Sequence, residues 1–533
     1  MSYVITQNCC KDASCIAVCP VDCIRPSGAG GEYTDTEMHF IDPETCIDCG
    51  ACMEECPVDA IYYDEDLPAE LAIFRDMNAR YFDRHPLTAG EPVSPADHPA
   101  VEPGALRVAV VGAGPAACYA VAALTRTPGV EVDVYERLPT PFGLVRAGVA
   151  PDHQHTKSVV DIFNRMFGDS RVGCHFNVQI GRDLTHDDLM AHHHAVIYAV
   201  GASRSRELGI PGERLPGNSP AADFVGWYNG HPDHARHEFD LSAERVVIVG
   251  NGNVALDAAR VLLMDAAELA GTDIAQHALD ALSNSSIREV VILGRRSARY
   301  GAYSVGEFAA LEHLPGIDVV VDTNDLADLP DDDVETTLKL EIARRYAQRE
   351  ANPGNKRIVF RFDTTPVEIT GTDRAEGIRV GLAGGMTEVL DTPLILRSIG
   401  YRGIPSPGLP FDEDRGVIPN DRGRVVDPDG APVEGVYVTG WIKRGPRGVI
   451  GTNRTCAEET VESLWQDFDG GRLSGQVGNR EALRQTLADR GADPVGWKGW
   501  RAIDAEERRR GSATKRPRIK FVDIAEMLAA ARG

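Results

Sequence analysis

The 533-residue chain is short of three things, and each shortage excludes something. Basic charge is scarce, with 55 Lys and Arg against 80 Asp and Glu and a net charge of -25. Nonspecific nucleic-acid binding needs clustered Lys and Arg against phosphate, so no nucleic-acid partner is expected. Long apolar runs are missing as well: no stretch approaches the roughly 20 residues of a membrane helix. The opening MSYVITQNCC lacks the basic-then-apolar order of a secretory leader. A cytoplasmic protein with no membrane partner is therefore expected. Cysteine, finally, almost disappears after residue 56. Of twelve cysteines only Cys118, Cys174 and Cys456 lie beyond it, too far apart in sequence to read as a redox pair and expected as small core residues. What remains is a globular composition, 43% hydrophobic and 25% charged. Its length suits about three or four domains at roughly 150 residues each.

The other nine cysteines crowd the first 56 residues, and crowding of this kind in a reducing compartment reads as metal ligation. Residues 1–85 also carry seventeen Asp and Glu against five Lys and Arg. An internal repeat orders the segment: Cys9, Asp12, Cys15 and Cys19 each precede Cys46, Cys49, Cys52 and Cys56 by 37 positions. CPVDCI at 19–24 matches CPVDAI at 56–61 in the same register. The second copy reads C-x2-C-x2-C-x3-C-P, in which three thiolates hold one iron–sulfur cluster and the fourth crosses to the other. Register then gives Cys46, Cys49, Cys52 and Cys19 to one [4Fe–4S] cluster. Cys9, Cys15 and Cys56 go to the second, with Asp12 in the place of a fourth cysteine. A carboxylate is a harder and weaker iron ligand than a thiolate, so this second cluster is either [4Fe–4S] with Asp12 bound or [3Fe–4S]. Cys10 and Cys23 align with Ile47 and Ala60 and are not expected ligands. A zinc ribbon is the alternative, and the repeat with its two Cys-Pro junctions weighs against it. The segment resembles a bacterial two-cluster ferredoxin, including LPAELAIFRDMNARYF as a packed helix. Residues 86–104, rich in Pro and Gly without periodicity, read as a linker.

LRVAVVG then leads into Gly112-Ala113-Gly114-Pro115-Ala116-Ala117 and an apolar helical stretch. This is a buried parallel strand feeding a dinucleotide turn: the first glycine permits the turn and the second lets backbone approach a pyrophosphate. The next strand ends in Glu136, where a carboxylate binds ribose hydroxyls. A second copy, RVVIVGNGNVALDAARVLL, places Gly250, Gly252 and Ala255 alike. Its following strand, REVVILG, ends in Arg295-Arg296, suited to a 2′-phosphate and hence to NADP over NAD. Gly250 to Arg295 is longer than the simple fingerprint, so MDAAELAGTDIAQHALDALSNSS is an insertion; a solvated edge is the other reading of the arginine pair. The fold class expected is α/β: two Rossmann-like dinucleotide-binding domains, for FAD and NADP, behind a small α+β ferredoxin-like domain. Boundaries fall at 1–85, 86–104, 105–201 and 400–533 for the FAD unit with its C-terminal extension, and 202–399 for the NADP unit.

LPTPFGLVRAGVAPDH (138–153), VIYAVGA (196–202), GNGNVALD (250–257) and GWIKRGPRGVIGTN (440–453) resemble the adrenodoxin-reductase-like ferredoxin–NADP+ reductases. With the ferredoxin ahead, the arrangement is similar to the actinobacterial FprB type. The resemblance implies FAD contacts at Ala116, Glu136, Leu144, Ile180, Trp441, Gly448, Val449 and Ile450. It implies NADP contacts at Arg206, Asn251, Gly252, Asn253, Val254, Arg295, Arg296 and Glu307, with Gly448 near both. His153, at the end of APDH, and Glu307 are the candidate catalytic side chains. Trp441 stands where related flavoproteins carry Asp, and a core aromatic is its other reading. Ser304-Val305-Gly306-Glu307 also fits a capping box, and His153 a hydrogen-bonded loop histidine. The GVIGTN amides, at the start of a helix-like run, are expected to face the flavin. The function implied is hydride transfer from NADPH to FAD, then single electrons to the chain's own clusters, a separate ferredoxin, or a downstream cytochrome P450 or other acceptor. Three alternatives compete. A thioredoxin-reductase-like enzyme would need a C-x-x-C absent from 105–533, a glutamate-synthase-like small subunit fits the APDH and GWIKRGP stretches poorly, and a passive carrier would not need intact dinucleotide glycines.

Overall fold

The apolar runs RVAVV and RVVIV, buried on both faces, become the central strands of two parallel sheets, as continuous β-branched stretches between helices should. The structure, a computed structural model, describes residues 2–26, 36–87, 97–323 and 326–533. Residues 88–96 of the linker expected at 86–104 lie outside the described residues.

The first sheet has seven strands. Strand Arg107–Val111 sits between Glu131–Glu136 and Ala195–Tyr198, all parallel, with Val172–Phe176 outside one and Pro432–Val438 outside the other. The sheet thus draws strands from before and after the intervening unit. The second sheet has six parallel strands, centred on Arg245–Val249 and Glu289–Leu293. The insertion between these two folds as short helices Ala266–Leu269 and Gln276–Leu282 and leaves the strands in register. The chain crosses between the two sheets at a two-stranded ribbon, Arg204–Ser205 against Tyr401–Arg402. A three-stranded antiparallel sheet over 365–391, with no signature in the dinucleotide motifs, packs on the second unit.

The ferredoxin module obeys its 37-residue repeat down to the backbone. Helices Ser14–Ala17 and Ala51–Glu54 begin after left-handed Ala13 and Gly50. Lys11 and Asp48 share positive φ, as do Asp22 and Asp59. Strands pair across the repeat, Tyr3–Ile5 with Ile61–Tyr63 and Ile24–Arg25 with Phe40–Ile41. Asn78 joins the two halves. Its Oδ1 accepts the N–H of Ile5 at 3.3 Å and of Ile41 at 2.8 Å, and its amide donates to the Ile5 carbonyl. Asn78 lies on helix Ile73–Arg84, which starts later than the sequence suggests because Pro68 first opens a separate short turn at Ala69–Leu71.

The C-terminal segment, for which the sequence offers no chemistry, is a strap. Glu507 on helix Trp497–Ser512 is fully buried and takes Arg146 on both carboxylate oxygens. Lys520, also buried, pairs with Asp273 of the insertion at 2.9 Å, and Lys157 meets the same carboxylate at 2.6 Å. Burial acts upward on both acids, but the cations beside them outweigh it and hold the carboxyls below their ordinary range.

Candidate functional site

Gly112 and Gly250 leave their strands at φ +105° and +106°. A Cβ would lie 2.5 Å from the Ala199 carbonyl oxygen at one and 2.1 Å from the Ser398 oxygen at the other, so glycine alone fits. The helices that follow, Pro115–Thr125 and Asn253–Leu263, start at Gly114 and Gly252 with no side-chain cap. Uncapped amide N–H groups at two helix starts suit two pyrophosphates. Glu136 closes its strand and accepts the N–H groups of Ala113 and Leu138, each at 3.0 Å. Burial raises its carboxyl, and these two donors oppose the rise. Leu144, 50% exposed despite being apolar, sits on the short helix Gly143–Ala147 that abuts Gly114. Ile180 is half-buried, two residues beyond Val178, whose N–H donates to the Glu136 carbonyl.

Trp441 belongs to none of the apolar cores; it is half-buried and stacks on Tyr401 at 6.0 Å. The segment 448–450 leads into helix Thr452–Asp469, with Gly448 exposed and Val449 and Ile450 half-buried. Two of the amides expected to face the flavin are used within the protein. The Val449 N–H donates to Thr452 Oγ1 at 3.2 Å, and the Gly451 N–H donates to the Cys10 carbonyl at 2.7 Å. The expectation for GVIGTN is narrowed accordingly.

Arg295 and Arg296 follow strand Glu289–Leu293, both exposed, and neither has an acidic partner among the described residues. The Arg296 guanidinium lies 4.9 Å from the Tyr300 ring centre. Asn251 accepts the Ala302 N–H, and Asn253 accepts the Ser304 N–H at 2.8 Å, so both are fixed beside the second turn, with Gly252 and Val254 between and after them. Arg206 is exposed on the crossing ribbon, apart from the six-stranded sheet, with its Nε donating to the Tyr401 carbonyl at 3.4 Å.

The capping box at 304–307 forms only by half. Ser304 Oγ accepts the Glu307 N–H at 3.2 Å, but the Ser304 N–H goes to Asn253, and the Glu307 carboxylate turns to Arg260 at 3.0 Å. Arg260 is the residue that sequence reasoning missed. Its side chain is 4% exposed and also pairs with Asp152 at 2.9 Å and Asp257 at 2.8 Å. Its signal was a lone cation inside the apolar run LDAARVLL, three residues after Asp257. Burial pushes the Asp257 carboxyl up to about 6, against the pull of Arg260 and His153. Asp152 feels the same upward push from burial, but Arg260 and His153 outweigh it and lower its carboxyl. His153 Nε2 stands 3.9 Å from Glu307 Oε2. His153, Asp257 and Glu307 could in spacing share a cation, but Arg260 already supplies the positive charge there.

The cysteines lie in two groups. Cys19, Cys46, Cys49 and Cys52 line one pocket, together with Tyr3 and Cys23. Cys9, Asp12, Cys15 and Cys56 lie close enough to perturb one another's charge. The two crossing thiols are equivalent: Cys19 Sγ accepts the Cys23 N–H at 3.4 Å, and Cys56 Sγ the Ala60 N–H at 3.3 Å. Cys23 Sγ also lies 3.5 Å from Cys19 Sγ, a contact without counterpart at Ala60. Asp12 is 6% exposed and accepts the Ser14 hydroxyl; burial raises its carboxyl, and Ser14 and Arg454 oppose this. Cys10 is buried in the core of the first Rossmann unit, whereas its counterpart Ile47 is 58% exposed. Four sulfur donors in one group, and three sulfurs with a carboxylate in the other, are a donor chemistry that fits iron–sulfur clusters.

Fold and site together define a two-dinucleotide flavoprotein reductase carrying an iron–sulfur module. Residues 106–323 match the pyridine nucleotide-disulphide oxidoreductase family, and residues 39–62 match the 4Fe-4S binding domain. Over its whole length the chain is 49% identical to the "Probable ferredoxin/ferredoxin--NADP reductase" of Mycobacterium bovis, covering 95% of that protein. It is 45% identical to the protein of that name in Mycobacterium leprae, covering 98% of it. The structure of Mycobacterium tuberculosis FprA in complex with NADPH is similar over 80% of this chain and 100% of that one, at 42% identity and a TM-score of 0.76. The chain belongs to the ferredoxin/ferredoxin–NADP reductase family.

Proposed function

We propose that the protein is an NADPH–ferredoxin oxidoreductase in which the fused ferredoxin is the built-in electron acceptor. One observation carries this: the module is seated across both dinucleotide units. On the first unit the Gly451 N–H meets Cys10 and Ser158 Oγ donates to the Pro57 carbonyl at 2.7 Å. On the second, Arg80 pairs with Glu341, and Asn253 donates to Glu37 at 3.4 Å. FAD, when bound, accepts a hydride and releases electrons singly, which joins a two-electron donor to one-electron clusters. The chain's own residues bind and orient. Gly112, Gly114, Ala116 and Glu136 hold the FAD pyrophosphate and ribose, with Leu144, Ile180, Trp441 and Gly448–Ile450 around the rest. Gly250, Asn251, Gly252, Asn253 and Val254 hold the NADP pyrophosphate, while Arg295, Arg296 and Arg206 supply positive charge for its phosphates. Arg260 fixes the Glu307 carboxylate, and His153 stands beside it to orient the nicotinamide.

No helix among the described residues is long and apolar enough to cross a membrane. Thiolate ligation of clusters suits a reducing cytoplasm. Acceptors downstream of the module, a free ferredoxin or a cytochrome P450 chain, are reached through it. The Cys9, Asp12, Cys15 and Cys56 site takes its three-iron form readily, because carboxylate oxygen holds the corner iron weakly.

An anaerobic NADPH titration read at flavin and iron–sulfur wavelengths tests the main reading, which fails if the flavin is not bleached. EPR tests the cluster form: air-purified protein gives a [3Fe–4S] signal that Asp12→Cys removes. The alternative ligand is Cys10. A Cys10→Ser variant that loses the cluster, with the signal untouched in Asp12→Cys, would put it in place of Asp12.

A further inference from the structure

The two cysteine loops are copies in sequence and backbone, yet their surroundings are opposite. The Cys9–Cys15 loop is pressed against the reductase. A Cβ on Gly451 would lie 1.8 Å from the Lys11 carbonyl oxygen and 2.5 Å from the Asp12 amide nitrogen. Arg454, one turn into the same helix, donates to the Asp12 carbonyl at 2.5 Å. This helix begins immediately after Gly448–Ile450, the segment assigned above to the flavin. Cys10 and Asp12 are 3% and 6% exposed, so water is displaced from the seam. The Cys46–Cys52 loop, by contrast, faces outward. The pocket it helps line is built wholly from residues 3–52, Cys49 is exposed, and Ile47 and Met53 are 58% and 44% exposed.

We propose that the two cluster sites act in series with a direction fixed by this packing: the Asp12-containing site is the inner one, reduced first, and the Cys49-containing site is the outlet. The order rests on the oxidoreductase reading above. Electron tunnelling weakens steeply with the gap, and the inner loop touches the flavin segment's own helix through a direct backbone hydrogen bond. One hydride balances the two sites. NADPH is oxidised to NADP+, the hydride's two electrons leave the flavin one at a time, its proton passes to solvent, and each cluster accepts one electron. The first electron crosses the inner site to the outer one before the second arrives. Gly451 is what permits the close approach, and a side chain there separates the two surfaces.

The test is freeze-quench EPR on the full-length holoprotein mixed anaerobically with limiting NADPH, alongside stopped-flow absorbance of the flavin. The carboxylate-bearing and all-cysteine sites differ in signal. The expected result is a change at the inner site first, with the outer site following. In Gly451→Val the flavin still bleaches while the early inner-site change is lost. Bleaching of the flavin with the outer site changing first overturns the order while leaving the reductase reading intact. An early inner-site change that persists at full rate in Gly451→Val also overturns it. A flavin that NADPH does not bleach overturns both readings together.

Discussion

Replacing Arg295 and Arg296 together by Ala tests the nucleotide assignment most directly. Both guanidinium groups are exposed at the end of strand Glu289–Leu293, with no acidic partner among the described residues to compete for them. A hydrogen bond to a charged group contributes about 1.5–3 kcal/mol. Exposure and solvent screening place each arginine at the lower end, about 1.5 kcal/mol. Two such contacts give about 3 kcal/mol, and at 1.4 kcal/mol per factor of ten the NADPH-over-NADH preference should fall about a hundredfold. The Tyr300 ring, 4.9 Å from the Arg296 guanidinium, helps orient that side chain, so Arg296→Ala alone should cost more than Arg295→Ala. The assay is kcat/KM for both nucleotides at low and high salt. The loss should appear in KM for NADPH. The wild-type preference should itself shrink at high salt, where the screening length falls to about 3 Å at 1 M. A double variant that keeps its preference, or loses it through kcat alone, refutes the placement of the 2′-phosphate at this strand end.

Glu507→Ala should destabilise the protein by about 3–5 kcal/mol, because Arg146 is left without its buried counter-charge while Arg518 keeps only Asp504; a thermal melt and FAD retention report it. Shortening the chain to begin at Ala105 should retain FAD and ferricyanide reduction, yet melt below a chain beginning at Asp97. His98 stacks on Trp465 at 3.8 Å, and the Val101 N–H donates to Pro128, contacts that only the longer form keeps. Asp257, with its folded carboxyl raised to about 6 from an ordinary 3.8, adds stability at low pH that is lost as pH climbs through that window. Asp257→Asn should therefore gain on wild type in denaturant midpoint as pH rises from 4 to 6, and a constant difference would refute the shift.

Much of this was legible in the chain because the informative residues are constrained by backbone. Gly112 and Gly250 must be glycine for steric reasons that repeat from one unit to the other, so the two folds announced themselves. The 37-residue repeat likewise shows in the backbone, where left-handed residues recur in register at Lys11 and Asp48. Arg260 stayed hidden because, beyond Asp257 one turn earlier on its own helix, its role depends on Asp152 and Glu307 from two other segments, which no spacing rule connects. The strap was invisible for the same reason: Glu507 finds Arg146 across 361 residues. Glu307 had two readings, a nicotinamide contact and a capping residue; local sequence favours the cap, but a tertiary partner, Arg260, took its carboxylate.

The seating of the iron–sulfur module has a kinetic consequence. Its contacts with both nucleotide units lie within one chain, so its encounter with the reductase is intramolecular and does not depend on protein concentration. Internal cluster reduction should be first order and unchanged by dilution. On the proposed order of the two sites, a free ferredoxin added in excess would find the surface at Gly451 already covered by Lys11 and Asp12 and would collect electrons from the outer face, where its own concentration and the salt set the rate.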